Sequence, residues 1–178
     1  STQTINYTFG SCVMATGTGV ILNDEMDDFS AQPGVPNAYG LVGGEANAIA
    51  PLKRPLSSMS PTIVFKRGSP FLVVGSPGGS RIITAVLQTI VNVLDFGVPI
   101  LHAVAHGRIH HQWLPDELFI EHGSLPNDTQ QKLSTMGHTI SVKSQGDTLG
   151  DVQAILIQDD GTLVGVSDPR GEGQPMGY

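Results

Sequence analysis

The chain has 178 residues, 39% of them apolar, with 22 Gly, 12 Pro and a formal net charge of −7. That length suits one globular domain with a real core. The nine Lys and Arg are scattered, so no basic stripe exists to meet phosphates and a nucleic-acid partner is excluded. No apolar run approaches the roughly 20 residues of a membrane span.

The chain opens Ser1-Thr2-Gln3-Thr4-Ile5-Asn6 without a methionine, as expected of a processed or truncated product cut inside a strand. Cys12 is the single cysteine; it excludes an internal disulfide and reads as a small buried hydrophobe. Gly19-Val20-Ile21-Leu22 predicts a short buried strand. The polar loop Asn23-Asp24-Glu25-Met26-Asp27-Asp28 follows. From Phe29 to Pro55 there is little periodicity, and a stretch of that kind suggests a lid or binding loop. Strands are predicted over 62–66 and 71–75, joined as a hairpin through Lys66-Arg67-Gly68-Ser69-Pro70.

Ile82, Ile83, Val86, Leu87, Ile90, Val91 and Leu94 recur at helical spacing. They predict the longest helix, apolar on more than one side and therefore buried, with Gly97 as its stop. A second helix is predicted from Pro99 to His106, and a third near Thr129–Met136, ended by Gly137. Strands follow near 139–143, 152–158 and 162–167, the last two flanking the turn Asp159-Asp160-Gly161. Strands, packed helices and strands again give a layered α/β (α+β) fold.

Two Gly/Ser loops carry the chemical signal. Phe71-Leu72-Val73-Val74 runs into Gly75-Ser76-Pro77-Gly78-Gly79-Ser80 and then into the long helix. A strand that ends in Gly-Gly and becomes a helix offers bare N–H groups where an anion or a developing oxyanion is stabilised. The adjacent Ser57 and Ser58 add hydroxyl donors for a carboxylate. Together they suggest acyl chemistry on a small charged substrate. The glycine loop is no nucleotide loop, because no Lys follows, and Ser76 lacks the spacing of a nucleophile elbow. The acidic loop has three readings: a solvated loop, an amino-group site, or a calcium site whose required spacing is missing. His110 and His111 would point to opposite faces of a strand and lack a zinc-site partner. They read as structural, with Trp113 as packing and no metal.

Several long motifs in register carry a family likeness. They are Thr4-Ile5-Asn6 with Phe9-Gly10-Ser11, Leu22 to Phe29, Lys53-Arg54-Pro55-Leu56-Ser57-Ser58-Met59-Ser60-Pro61, Gly75 to Ile83, His110 to Asp116, and Ser167-Asp168-Pro169-Arg170 with Gly177-Tyr178. Together they closely resemble the small catalytic subunit of γ-glutamyltransferases (glutathione hydrolases). The resemblance implies a four-layer αββα N-terminal-nucleophile hydrolase fold, of which this chain is the small-subunit half. It implies γ-glutamyl transfer from glutathione to water or an acceptor amine, no cofactor, the large subunit of the same precursor as partner, and a periplasmic or extracellular location. Carried over by position, Asn6, Glu25 and Asp28 hold the substrate's α-amino group, which displaces the solvated-loop reading for Asp28. Ser57 and Ser58 bind the α-carboxylate. The N–H groups of Gly78 and Gly79 form the oxyanion hole, Thr4 supports the nucleophile, and Tyr39 sits in a lid-like loop.

The chain departs from the family pattern at its start. The family's nucleophile is the small subunit's first residue, a Thr whose α-amino group serves as base, and it lies further upstream of Asn6 than the five residues present here. The chain is therefore expected to lack its first strand and to be inactive alone; Ser1 has a hydroxyl but is out of register. Two other readings remain: an amide acylase of the same fold, and a catalytically silent chain that only binds a ligand or partner.

Overall fold

Turn-forming residues dominate the first third of the chain, and its structure is made of turns. In the computed structural model residues 2–177 are described, and their contacts fall into two compact units, Ser1–Ser57 and Ser58–Tyr178. Ser1 and Tyr178 lie outside the described residues. The first unit has two 3-10 helices, Glu25–Asp28 and Glu45–Asn47, and three isolated bridges, Met14 with Ile21, Ser30 with Ala48 and Pro36 with Val42. The expected buried strand at 19–22 is replaced by a small loop: Ala15 N–H donates to Val20 O at 2.9 Å and Leu22 N–H to Val13 O at 2.8 Å. Val20 and Leu22 are exposed, because nothing in the unit covers them. Cys12 is likewise exposed rather than buried, in left-handed backbone at φ 58°. An apolar run states what prefers burial, not whether a partner face exists.

The second unit opens with the predicted hairpin, β1 (Thr62–Lys66) and β2 (Ser69–Gly75). Arg67 and Gly68 both have positive φ, 53° and 85°, which is the mirror-image turn whose twist suits a two-residue hairpin. Then come α1 (Arg81–Leu94) and α2 (Ile100–Ala105), β3 (Ile109–His110) and β4 (Leu118–Ile120), and α3 (Asn127–Thr135). The chain continues through β5 (Ile140–Val142), β6 (Gln153–Ile157) and β7 (Leu163–Ser167). One antiparallel sheet has the order β1-β2-β6-β7, and a second has the order β3-β4-β5 with β4 and β5 parallel. The parallel step needs a crossover, which α3 supplies. The short β3 and β4 are not among the predicted strand ranges.

Alternation along β2, β6 and β7 turns Leu72, Val74, Ala154 and Val166 to one face, where they join Ile82, Ala85 and Val86 of α1 and Ile100 and Val104 of α2. On the opposite face Ile63, Val73 and Ile155 are register neighbours, and all three are exposed. The α1 prediction holds in length but not in burial. Ile82, Ala85, Val86 and Thr89 are buried, whereas Ile83 and Leu87 remain 54% and 55% exposed. Only one face of the helix has a layer to pack against. Gly97, at φ 64°, stops the helix as expected: Phe96 N–H donates to Val91 O and Val98 N–H to Asn92 O.

Candidate active site

In the first unit the acidic loop folds as one 3-10 turn. This sets Glu25 and Asp28 side by side, both half-buried. Burial raises both carboxyls, and the Asp28 carboxyl beside it raises Glu25 further. Glu25 Oε1 is buried without a donor. Two acids pressed together with an unserved oxygen need a proton or a cation. Asp27 lies apart from this pair, exposed, and accepts the Tyr7 hydroxyl at 2.6 Å.

Asn6, half-buried and in left-handed backbone at φ 53°, joins the acidic loop: its Nδ2 donates to Asp24 O at 3.2 Å. Thr4 Oγ1 accepts the Asn6 N–H at 2.9 Å, so Thr4 fixes the backbone of a candidate ligand. The Tyr39 ring stacks on Tyr7 at 5.9 Å, which ties the lid-like loop to the residue after Asn6. Within that loop Asn37 Oδ1 accepts the N–H groups of Tyr39 and Leu41, each at 3.0 Å.

Asn47 was missed by sequence reasoning. Its Nδ2 donates to Asp28 O at 2.7 Å, and its Oδ1 accepts the Leu56 N–H at 2.9 Å. One amide thus links the end of the acidic turn to the residue before Ser57. The boundary between the units falls between Ser57, which is exposed, and Ser58, which is half-buried.

In the second unit β2 delivers Pro77-Gly78-Gly79 to the start of α1. Gly78 has φ 134° and Gly79 φ 58°, conformations that glycine adopts without strain. Their carbonyls accept the Arg81 and Ile82 N–H groups at 3.2 and 3.1 Å. Among the described residues neither glycine N–H has a hydrogen-bond acceptor. Two open donors at a helix start are groups that an anion could accept from.

Beneath the turn runs the segment 148–152. A Cβ on Gly78 would stand 3.2 Å from Gly150 Cα. Ser76 staples the two together: its hydroxyl donates to Pro77 O at 2.7 Å and accepts the Asp151 N–H at 3.0 Å. A buried ion network, also missed from sequence, holds the segment from below. Arg108 donates to the carbonyls of Leu149 and Gly150 at 3.3 and 3.1 Å and to Asp168 Oδ2 at 2.5 Å. Arg170 bonds both oxygens of Glu121, at 3.0 and 2.6 Å, and Asp168 Oδ1 at 3.0 Å. Burial alone would raise Asp168 and Glu121. The Val152 N–H and Arg108 instead hold Asp168 below the usual carboxylate range, and Arg170 with the Leu149 and Arg108 N–H groups does the same for Glu121.

The histidine pair does diverge. His110 is buried, while His111 turns out and bonds Asp116 Oδ1 through Nε2 at 3.0 Å. No cluster able to hold a metal occurs among the described residues. Trp113 is 72% exposed at φ 71°. It does not pack as expected, because its left-handed backbone sits in a loop with no facing layer.

A family model described as gamma-glutamyltranspeptidase matches residues 1–178. The chain belongs to the gamma-glutamyltranspeptidase family. It is 56% identical over 169 residues to a glutathione hydrolase proenzyme of Escherichia coli (strain K12), covering 95% of this chain and 28% of that protein. It is 51% identical over 175 residues to a glutathione hydrolase proenzyme of Pseudomonas aeruginosa, covering 97% of this chain and 31% of that one. The chain thus spans under a third of the length of these curated relatives. A crystal structure of a Helicobacter pylori gamma-glutamyltranspeptidase matches with TM-score 0.90 and 55% identity over 96% of this chain and 92% of that one. The layered α+β reading stands as that of a gamma-glutamyltranspeptidase small-subunit-like chain.

Proposed function

We propose that this chain is the small-subunit part of an enzyme that transfers the γ-glutamyl group of glutathione and related amides to water or to amino acid or peptide acceptors. The observation that carries the reading is the Glu25–Asp28 pair. Two neighbouring carboxyls with one buried, unserved oxygen suit a ligand ammonium better than solvent, and the family supplies the ammonium of a γ-glutamyl donor. Asn6 assists that contact, and Ser57 and Ser58 take the α-carboxylate. Tyr39 belongs to the loop that covers the glutamyl end.

Catalysis on this reading starts from a threonine hydroxyl on the family pattern, supported by Thr4. The hydroxyl attacks the γ-amide carbonyl, and its proton passes to the departing amine. The carbonyl oxygen gathers negative charge and is met by the Gly78 and Gly79 N–H groups. The γ-glutamyl ester left behind is then opened by water or by an acceptor amine. The partner is the larger remaining part of the same precursor, and the exposed row Ile63, Val73 and Ile155 offers it an apolar sheet face. A periplasmic or extracellular site of action belongs to the same proposal.

Replacing Asp28 tests the reading. A charge-assisted contact is worth about 1.5–3 kcal/mol. Asp28→Ala in the complete enzyme should therefore raise KM for glutathione by one to two decades, on the order of that energy. An unchanged KM would remove Asp28 from the donor site.

A further inference from the structure

Ser80 stands at the N-cap of α1 with helical backbone, φ −59° and ψ −23°, and makes no side-chain cap. A serine there ordinarily accepts an N–H of the first turn. In this chain the Arg81 and Ile82 N–H groups are already taken by the carbonyls of Gly78 and Gly79. The buried Ser80 hydroxyl instead donates to Gln112 Oε1 at 2.7 Å. Gln112 Nε2 donates to Leu114 O at 3.0 Å, which turns the amide oxygen toward Ser80. The same oxygen lies 2.8 Å from His110 Nε2. Burial holds the His110 pKa below its usual value, so the ring is neutral with one N–H. Gln112 Oε1 can only accept, so that hydrogen is on Nε2. Nδ1 lies 2.8 Å from the Thr84 hydroxyl, which also reaches Arg81 O at 3.1 Å. Thr84 lies one helical turn beyond Ser80, on the same side of α1.

We propose that Ser80, Gln112 and His110 are positioning residues that fix the direction of the Gly78 and Gly79 N–H groups. Two glycines have no side chains to restrain their peptides, and their freedom exceeds that of any other pair. The turn is instead gripped at its ends. Ser76 holds it on the Pro77 side through the Asp151 N–H, and Ser80 holds it on the helix side through Gln112. The His110-His111-Gln112 motif thereby serves the oxyanion rather than a metal. The inference rests on the oxyanion reading of the two glycines.

The test uses the complete enzyme, a γ-glutamyl anilide as donor, and thermal melting beside steady-state kinetics. Ser80→Ala and Gln112→Leu should each lower kcat by about tenfold, less than the roughly 10²–10³ of deleting an oxyanion donor. KM should hold within about twofold, as expected for an interaction made only in the transition state. Ser80→Thr keeps the hydroxyl and should restore kcat. Gln88 is the packing control. It exchanges hydrogen bonds with the Ile109 backbone at 2.8 and 3.0 Å, about 12 Å along the helix from Ser80. Gln88→Met should lower the melting temperature and spare kcat.

If Gln88→Met costs as much kcat as Ser80→Ala, or if Ser80→Ala and Gln112→Leu fold and keep full kcat, the inference is overturned. Should one of the two fail to fold, the other decides. Gly78→Ala separates the layers: full kcat in that variant sinks the oxyanion reading itself, whereas a crippled Gly78→Ala beside an intact Ser80→Ala sinks only this inference.

Discussion

Changing Asp168 to Asn probes whether the ion network holds the segment beneath the diglycine turn. The buried carboxylate accepts from Arg108, from the Val152 N–H, and from Arg170 by both side chain and backbone. An amide keeps one acceptor oxygen, sets an NH2 against donors, and leaves Arg108 without its counter-charge. Removing one partner of a buried ion pair costs about 3–5 kcal/mol, against a typical domain stability of about 5–15 kcal/mol. The sign with pH follows from the depressed pKa. Asp168 and Glu121 lie below their usual 3.8 and 4.5, so their contribution is present above those values and fades as pH falls through the folded ones. Urea denaturation followed by near-ultraviolet circular dichroism, from pH 7 down to about pH 3, reads both effects. Asp168→Asn should lower the midpoint at pH 7 and flatten the acid limb. A loss below about 1 kcal/mol at pH 7, within the range of an exposed pair, would refute the argument that this network is structurally decisive.

Gly78→Ala asks a left-handed residue at φ 134° to carry a side chain 3.2 Å from the Gly150 backbone. In folded enzyme kcat should drop about 10²–10³-fold, the cost of one misplaced oxyanion donor, with donor KM little changed; steady-state assay of protein with native circular dichroism checks it. The Glu25–Asp28 pair should write itself into the pH profile of donor KM. Burial raises both carboxyls, and an ammonium prefers the ionised pair. KM should therefore begin to climb on acidification at a pH above the usual 4.5 of Glu. Asp28→Asn should shift that limb acidward by removing the neighbouring charge, and an unmoved limb would contradict the shared site.

Elements with long, periodic runs were legible from the sequence. β2 and α1 read directly from Phe71 to Val74 and from Ile82 to Leu94, and these runs bracket the diglycine between them. What stayed hidden depends on partners far along the chain. Arg108 and Asp168 are 60 residues apart, and neither sits in a periodic pattern; the Ser167-Asp168-Pro169-Arg170 motif was visible, but nothing in it names Arg108 as a partner. Asn47 lies in a Gly- and Pro-rich loop where every residue reads as surface. Burial was misjudged wherever composition stood in for a packing partner, as at Cys12, Val20, Leu87 and Trp113. Ser80 was hardest of all: an N-cap serine predicts a cap, and only the carbonyls of Gly78 and Gly79, by closing the first turn themselves, release its hydroxyl.

The two halves of the proposed chemistry therefore rest on different physical footings. The residues proposed to read the substrate's charge, Asn6, Glu25 and Asp28, belong to a unit built from turns, with Phe29 as its buried apolar side chain among the described residues. Little core packing depends on them, so their variants should act on KM and spare stability. The proposed oxyanion donors precede the longest helix of the other unit and lie over an ion network whose disruption costs several kcal/mol. Variants there mix rate and stability unless a side chain reports on the turn alone. Ser80 meets that condition. It lies at the start of α1 rather than in the apolar core formed by Ile82, Val86, Leu72 and Val166, and its Thr variant keeps the hydroxyl. A kcat loss in Ser80→Ala that Ser80→Thr repairs, at matched melting temperature, would have no explanation in packing.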